Sequence, residues 1–251
     1  MPTHKPWTRN EIILANNLYC KIPFGKIHNR NPDIIELARI IGRTPSAVSW
    51  KLANFAHLDP SLPRKGASNV SRLDGEIWGE FFNNWDDLAF ESEQLLKSFG
   101  SVEPVLEMEE EIIHIPDGLE KERLIKSLVN QWFFRKVVPV SYNFSCCITG
   151  ISDDRLLIAS HIIPWSKDIK NRTNPRNGLC LNSLHDKAFD SGLITIDKDS
   201  RVVLSSSLKK SNKSWINDHF LRYEGTPIRQ PKRFLPEKIF FEYHRENIFV
   251  G

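Results

Sequence analysis

The 251-residue sequence predicts an α+β protein in three parts: three short helices over residues 1–60, a basic linker and acidic helical connector over 61–129, and a C-terminal domain over 130–251 in which two strands precede a helix. Three observations carry that reading. Apolar residues near the start recur at helical spacing between helix-capping residues. Charge falls into three blocks of alternating sign. In the last part, strand-like apolar runs end in polar side chains that a buried strand keeps only when they have a partner or a task.

Seven tryptophans, 15 phenylalanines and 40% hydrophobic residues suit a folded chain with a sizeable core. No apolar run approaches the roughly 20 residues of a membrane span, and the Met-Pro-Thr-His-Lys start lacks a signal-peptide core, so an intracellular, cytoplasmic protein without a membrane partner is expected. The four cysteines, Cys20, Cys146, Cys147 and Cys180, are too few and too irregular for a disulfide framework.

The net charge of +3 conceals a partition. Residues 1–73 hold 11 Lys and Arg against 4 Asp and Glu, residues 74–122 hold 2 against 15, and residues 123–251 hold 21 against 12. Two basic ends flank an acidic middle. Clustered bases release counterions from phosphates, so either end could meet a polyanion.

In the first part, "WTRNEIILANNLYCKI" reads as an amphipathic helix through Ile12, Ile13, Leu14, Leu18 and Tyr19. Asn31 followed by Pro32, and Thr44 followed by Pro45, cap two more helices, and Gly42 stops the first of these. Their stripes, Ile34, Leu37, Ala38 and Ile41 against Val48, Leu52 and Phe55, should pack across a short turn. This arrangement resembles Myb-like and related helix-turn-helix DNA-binding domains, whose last helix enters the major groove. On that resemblance Arg43, Ser46, Ala47, Ser49, Trp50 and Lys51 face outward toward DNA.

Residues 60–71 are basic and rich in Pro, Gly and Ser, as a linker is. Residues 74–99 place Ile77, Trp78, Phe81, Phe82, Trp85, Leu88, Phe90, Leu95 and Leu96 at helical spacing among acids, which is ordinary amphipathic packing. "SVEPVLEMEEEIIHIPDG" shows no period and reads as an exposed connector, with His114 at the surface.

From Gln131 onward the sequence carries a strand ending at His161 in "ASHIIPW", a polar loop, a second strand from Asn177 to Leu181, a helix opened by Ser183 and closed by Gly192, and a further strand "LITID". The segments "CCITG", "SHIIPW", "NPRNGLCL" and "LHDKAFDSGLI", in this order, resemble the HNH endonucleases, in particular a branch frequent in bacterial restriction enzymes, and "FLPEKIFFEYHRENIF" is similar to that branch's closing segment. The resemblance spans roughly residues 130–251. It implies a ββα-metal nuclease domain hydrolysing phosphodiesters in double-stranded DNA.

Such hydrolysis needs a base for the attacking water and positive charge for the phosphorane and the leaving 3′ oxygen. The resemblance makes His161 the general base and Asn177 the residue that pins the loop. It makes His185 a ligand of one divalent cation, Mg²⁺ first and Mn²⁺ or similar next. Ser160 departs from the pattern, since many relatives carry a metal-binding Asp or His there. Asp190 and Asp186 are the substitute ligands, Asp190 preferred, although around an ideal helix Asp186 is offset from His185 by roughly 100° and Asp190 by about 140°. Paired C-x-x-C motifs are missing, so no structural zinc is expected. Lys167, Lys170, Arg172, Arg176 and Lys187 are placed to hold DNA phosphates, leaving base recognition to the helix-turn-helix-like part.

These readings converge on a metal-dependent DNA endonuclease, a type II-like or modification-dependent restriction enzyme. A DNA-binding regulator that keeps the module without catalysis, and a sequence-tolerant nicking nuclease, are the alternatives. A double-strand cut calls for two active sites, and a homodimer is the symmetric way to supply them.

Overall fold

In the computed structural model, residues 5–62, 67, 69–100 and 118–251 are described. The connector at 101–117, with His114, and linker residues 63–66 and 68 lie outside them. Two compact units divide the chain, Met1–Phe133 and Phe134–Gly251. Among the described residues no helix is long and apolar enough to cross a membrane.

The first unit begins with α1 (Arg9–Lys21), opened by a reciprocal capping box in which the Thr8 side chain and Glu11 satisfy each other's backbone N–H groups. In α2 (Pro32–Ile41) Asn31 caps the first turn, and Gly42 ends the helix in the left-handed conformation at φ 65°. α3 (Pro45–Leu58) starts on Thr44. The capping residues thus fall where the sequence places them. α4 (Arg72–Phe81) and α5 (Trp85–Ser98) both pack on α1, so the acidic helices share one unit with the first three. Tyr19, Phe55 and Trp78, from α1, α3 and α4, meet with ring centroids 5.8–6.0 Å apart at the centre.

Two buried ion pairs tie these helices together, and they correct an expectation. Arg43 does not face outward: its guanidinium pairs with Glu11 at 2.8 Å, donates to the carbonyls of Lys5 and Pro6, and lies over the Trp7 ring at 4.1 Å. Lys51 is likewise buried and bonds Asp74 at 2.6 Å. Asp74 also accepts from Asn54 and closes the Ser71 capping box of α4, so one carboxylate joins α3 to α4. Burial alone would raise the Glu11 carboxyl, but hydrogen bonds from Arg43 and Thr8 outweigh it and hold the group at about 2.

α6 (Leu119–Ser141) runs 23 residues to Ser141, and its last turns, from Phe134, belong to the second unit. There β1 (Leu157–His161) pairs antiparallel with β2 (Gly178–Asn182), setting Ser160 opposite Leu179 and His161 opposite Gly178. α7 (Ser183–Asp190) follows directly, capped by Asn182. A second hairpin, β3 (Ile194–Ile196) with β4 (Val202–Leu204), completes the described strands. After α8 (Ser206–Lys209) and α9 (Ser214–His219), the last helix, α10 (Lys238–Asn247), packs on β3. Every residue of β2 is buried. Gly178 is required there, because a Cβ would lie 2.5 Å from Val138 Cγ2 and 3.0 Å from Phe134 Cζ.

The closing segment is anchored by His244 on α10. Its ring stacks on Phe189 at 3.7 Å, bonds the Phe189 carbonyl through Nε2 and meets Thr195 Oγ1 through Nδ1. Burial pushes this imidazole down to about 4 from an ordinary 6.5.

Two measurements check these anchors. Asp74→Ala leaves Lys51 buried without its counter-ion and should cost about 3–5 kcal/mol in urea unfolding, whereas Arg39→Ala, which breaks an exposed pair with Glu36, should leave the midpoint unchanged. Because the folded pKa of His244 is depressed, its contribution is complete above pH 6.5 and is lost as pH falls toward 4, reaching about 3 kcal/mol. Unfolding titrations of His244→Gln should lack that acid-side decline. An identical slope in the variant would place the acid sensitivity elsewhere.

Candidate active site in the C-terminal unit

His161 ends β1, where the strand leaves the hairpin and the long loop 162–177 begins. Its ring stacks flat on Phe134 of α6, with centroids 3.7 Å apart and planes 8° from parallel, and Trp165 meets it edge-on at 5.6 Å. Nε2 lies 2.8 Å from the Arg172 carbonyl oxygen. A carbonyl only accepts, so Nε2 carries the proton and Nδ1 keeps its lone pair. Burial lowers the ring's pKa below 6.5, and the Arg135 charge pushes the same way, against the opposing Arg172 hydrogen bond. At neutral pH this is a neutral imidazole with one nitrogen occupied and the other available as a base.

The carbonyl that fixes this tautomer sits in a loop wound tightly by side chains. Asn177, 1% exposed, accepts from Ile163 N at 2.8 Å and donates through Nδ2 to the carbonyls of Ile163 and Asn171. One amide therefore closes both ends of the loop around His161. Asp168 gathers the Lys170 and Asn171 backbone N–H groups, and Arg172 donates to the Trp165 carbonyl with its guanidinium 5.1 Å from the Trp165 ring centroid.

α7 carries the other candidates. His185 is buried, with Nδ1 3.1 Å from Asn182 Oδ1 and its ring beside Phe220 and Tyr223. Burial lowers its pKa. Asp190 is exposed at residue level, yet desolvation of its carboxyl, with the nearby Asp186 charge adding to it, raises the group to about 6. Asp186 is raised by burial as well, while the Ser160 hydroxyl opposes the shift.

The cations divide into spent and available. Arg176 pairs with Glu237 at 3.2 Å and bonds the Leu235 carbonyl. Lys167 and Lys170 are exposed and make no ion pair among the described residues. Lys187 stands close enough to Asp186 and Asp190 to favour their charged forms. Sequence reasoning missed Phe134 and Arg135. Their signal lay in "QWFFRKVV", where the i, i+4 pairs Phe133–Val137 and Phe134–Val138 mark the buried face and leave the exposed Arg135 beside it.

No group of three or more His, Cys, Asp and Glu side chains converges as a metal cage among the described residues. Carboxylate oxygens on α7, with water completing the shell, suit a hard divalent ion such as Mg²⁺, which commonly takes only one or two carboxylates. In the first unit, Trp50 is 66% exposed, Ser46 is exposed and bonded to Asn29, and Ser49 is half-buried, so these three remain at the α3 surface that Arg43 and Lys51 have left.

Two antiparallel strands and a following helix, with a neutral histidine at the end of the first strand and an asparagine-clamped loop between them, constitute a ββα arrangement. Residues 146–197, which contain all of it, match the family model of the HNH endonucleases, and this part of the chain is an HNH endonuclease domain. Comparison with the curated proteins finds no match.

Proposed function

We propose that the protein is a DNA endonuclease of the restriction type, in which the C-terminal unit cuts and the α3 surface of the first unit contributes to choosing the site. The observation that carries this reading is His161: its Nε2 is bound to the Arg172 carbonyl and Nδ1 has no partner among the described residues, within a segment that matches a nuclease family. His161 takes the proton of the attacking water at Nδ1. Asn177 and the loop hold the ring at one angle and in one tautomer. Arg135, Lys167 and Lys170 hold the phosphates on either side of the scissile bond. A divalent cation, Mg²⁺ or Mn²⁺, supplies when bound the positive charge that stabilises the leaving 3′ oxygen. The residues of α7 hold it, with His185 and Asp190 the pair that the motif suggests. For site choice, Trp50, Ser46 and Ser49 offer an aromatic face and two hydroxyls. A homodimer gives each strand its own active site.

His161→Ala should lower plasmid cleavage by about 10²–10⁴-fold while DNA binding in a mobility-shift assay is retained. Undiminished cutting by this variant overturns the assignment. A wild-type chain that shifts DNA with Mg²⁺ or Mn²⁺ but never breaks it is instead a DNA-binding regulator. Only the neutral ring can accept a proton, and its pKa is held below 6.5, so cleavage should persist below pH 6.5 and fail only in more acid buffer. Arg135→Ala removes one cause of the depression and should move that acid limb upward.

Trp50→Ala leaves the α3 core face intact and should weaken DNA binding about tenfold or relax the cleavage pattern. Unchanged affinity together with an unchanged pattern removes α3 from site choice.

A further inference from the structure

The family match ends at residue 197, yet two residues well beyond it stand against the histidine that the motif assigns to the cation. Phe220 and Tyr223 hold their ring centroids 5.2 and 5.6 Å from that of His185. The His185 Nε2, buried with them, has no hydrogen-bond partner among the described residues, so this edge of the ring is open to a ligand. Residues 205–223, which carry α8, α9 and both aromatics, therefore form one wall beside the reacting centre.

The outer side of that wall is aromatic and basic. Trp215 on α9 meets the buried Phe220 edge-on at 6.1 Å and is itself 45% exposed. The exposed Arg222 carries its guanidinium over Tyr223, 5.4 Å from the ring centroid. Lys213 caps α9 two residues before Trp215, is exposed, and makes no ion pair among the described residues, whereas Lys209 is spent on Glu224 at 2.6 Å. Residues 205–223 hold three Lys and one Arg against a single Asp, an excess that favours a polyanion over any basic partner.

We propose that Trp215, Lys213 and Arg222 form a further DNA-holding surface, which grips the substrate strand next to the phosphate that is cut. The proposal rests on the nuclease reading for the position of the cut, but the grip itself is independent of cleavage. Two contacts, of 5.2 and 6.1 Å, lead from His185 through Phe220 to Trp215, so the indole stands within about three nucleotides of the cation at roughly 3.4 Å per nucleotide. The same reach applies to Arg222 through Tyr223. An exposed aromatic ring between cations holds a nucleic-acid strand without reading its sequence: the cations neutralise phosphates and the ring stacks on a base or sugar face. Trp215 and its two cations are thus positioning residues, and Phe220 and Tyr223 fix them to the site.

The test is binding of a short DNA duplex by the full chain in EDTA, so that nothing is cut, over a series of salt concentrations. Trp215→Ala should weaken binding about tenfold with the salt slope unchanged, and Trp215→Tyr should recover most of the affinity. Lys213→Ala and Arg222→Ala should each reduce the slope of log affinity against log salt by about one. Lys198→Ala, which removes the same charge from the turn between β3 and β4, should bind as wild type does. Wild-type affinity in a folded Trp215→Ala, wild-type slopes in both cation variants, an equal loss in Lys198→Ala, or no DNA binding by wild type would overturn the proposal. Should Trp215→Ala fail to fold, the two cation variants decide the matter. Binding that depends on Trp215 and its cations in a chain that never cuts DNA with Mg²⁺ or Mn²⁺ keeps the surface and removes the nuclease reading. Cutting by wild type with unaltered binding in all three variants does the reverse.

Discussion

The buried amide of Asn177 is the contact on which the geometry of the C-terminal unit depends. It closes loop 162–177 at both ends, and only a closed loop brings the Arg172 carbonyl to within 2.8 Å of His161 Nε2. That one acceptor decides which ring nitrogen carries the proton, and therefore which keeps its lone pair. The stack on Phe134 then fixes the ring plane, and it forms because Gly178, opposite His161 in the register, lets α6 approach the hairpin where a Cβ would collide with Val138 and Phe134. A glycine, an asparagine and a phenylalanine thus determine the chemistry of a histidine that none of them joins in using.

In the first unit charge serves a different purpose. Its excess of bases suggests a polyanion-binding surface, yet Arg43 and Lys51, two of the bases nearest the expected reading face, are consumed internally by Glu11 and Asp74. Trp7 lies between them, with Lys51 Nζ 4.7 Å from its ring centroid, so the same cations also gain aromatic contact. What remains exposed at α3 is the aromatic side chain of Trp50 and Ser46, whose hydroxyl accepts from Asn29, with Ser49 half-buried nearby. Such a surface suits stacking and hydrogen bonding more than counterion release, and its contribution to affinity would be correspondingly less sensitive to salt.

Much of this was legible in the sequence because it is local. Asn31–Pro32 and Thr44–Pro45 announce helix starts, Gly42 announces a stop, and His161 and Asn177 stand in a motif whose order is itself informative. The burial of Arg43 and Lys51 was not legible, since their partners are 32 and 23 residues away and a helical wheel says which face a residue occupies but not what covers it. Nor was the role of α6 evident. Its aromatic pair reads as generic core until the strand that Phe134 touches has been placed.

The departure at Ser160 gains its meaning from the same distinction. By sequence it is a lost ligand, for which Asp190 and Asp186 are the candidate replacements beside the His185 that the resemblance already makes a ligand. The helix supplies a further criterion: one step along an ideal α-helix turns a side chain by about 100°, enough to separate a buried residue from a half-buried one. His185 is buried and Asp186 half-buried. Residue type still favours the histidine, because its buried Nε2, like the Ser160 hydroxyl, has no hydrogen-bond partner among the described residues. On one short helix geometry limits which side chains can share a ligand, because neighbours about 100° apart do not face the same way.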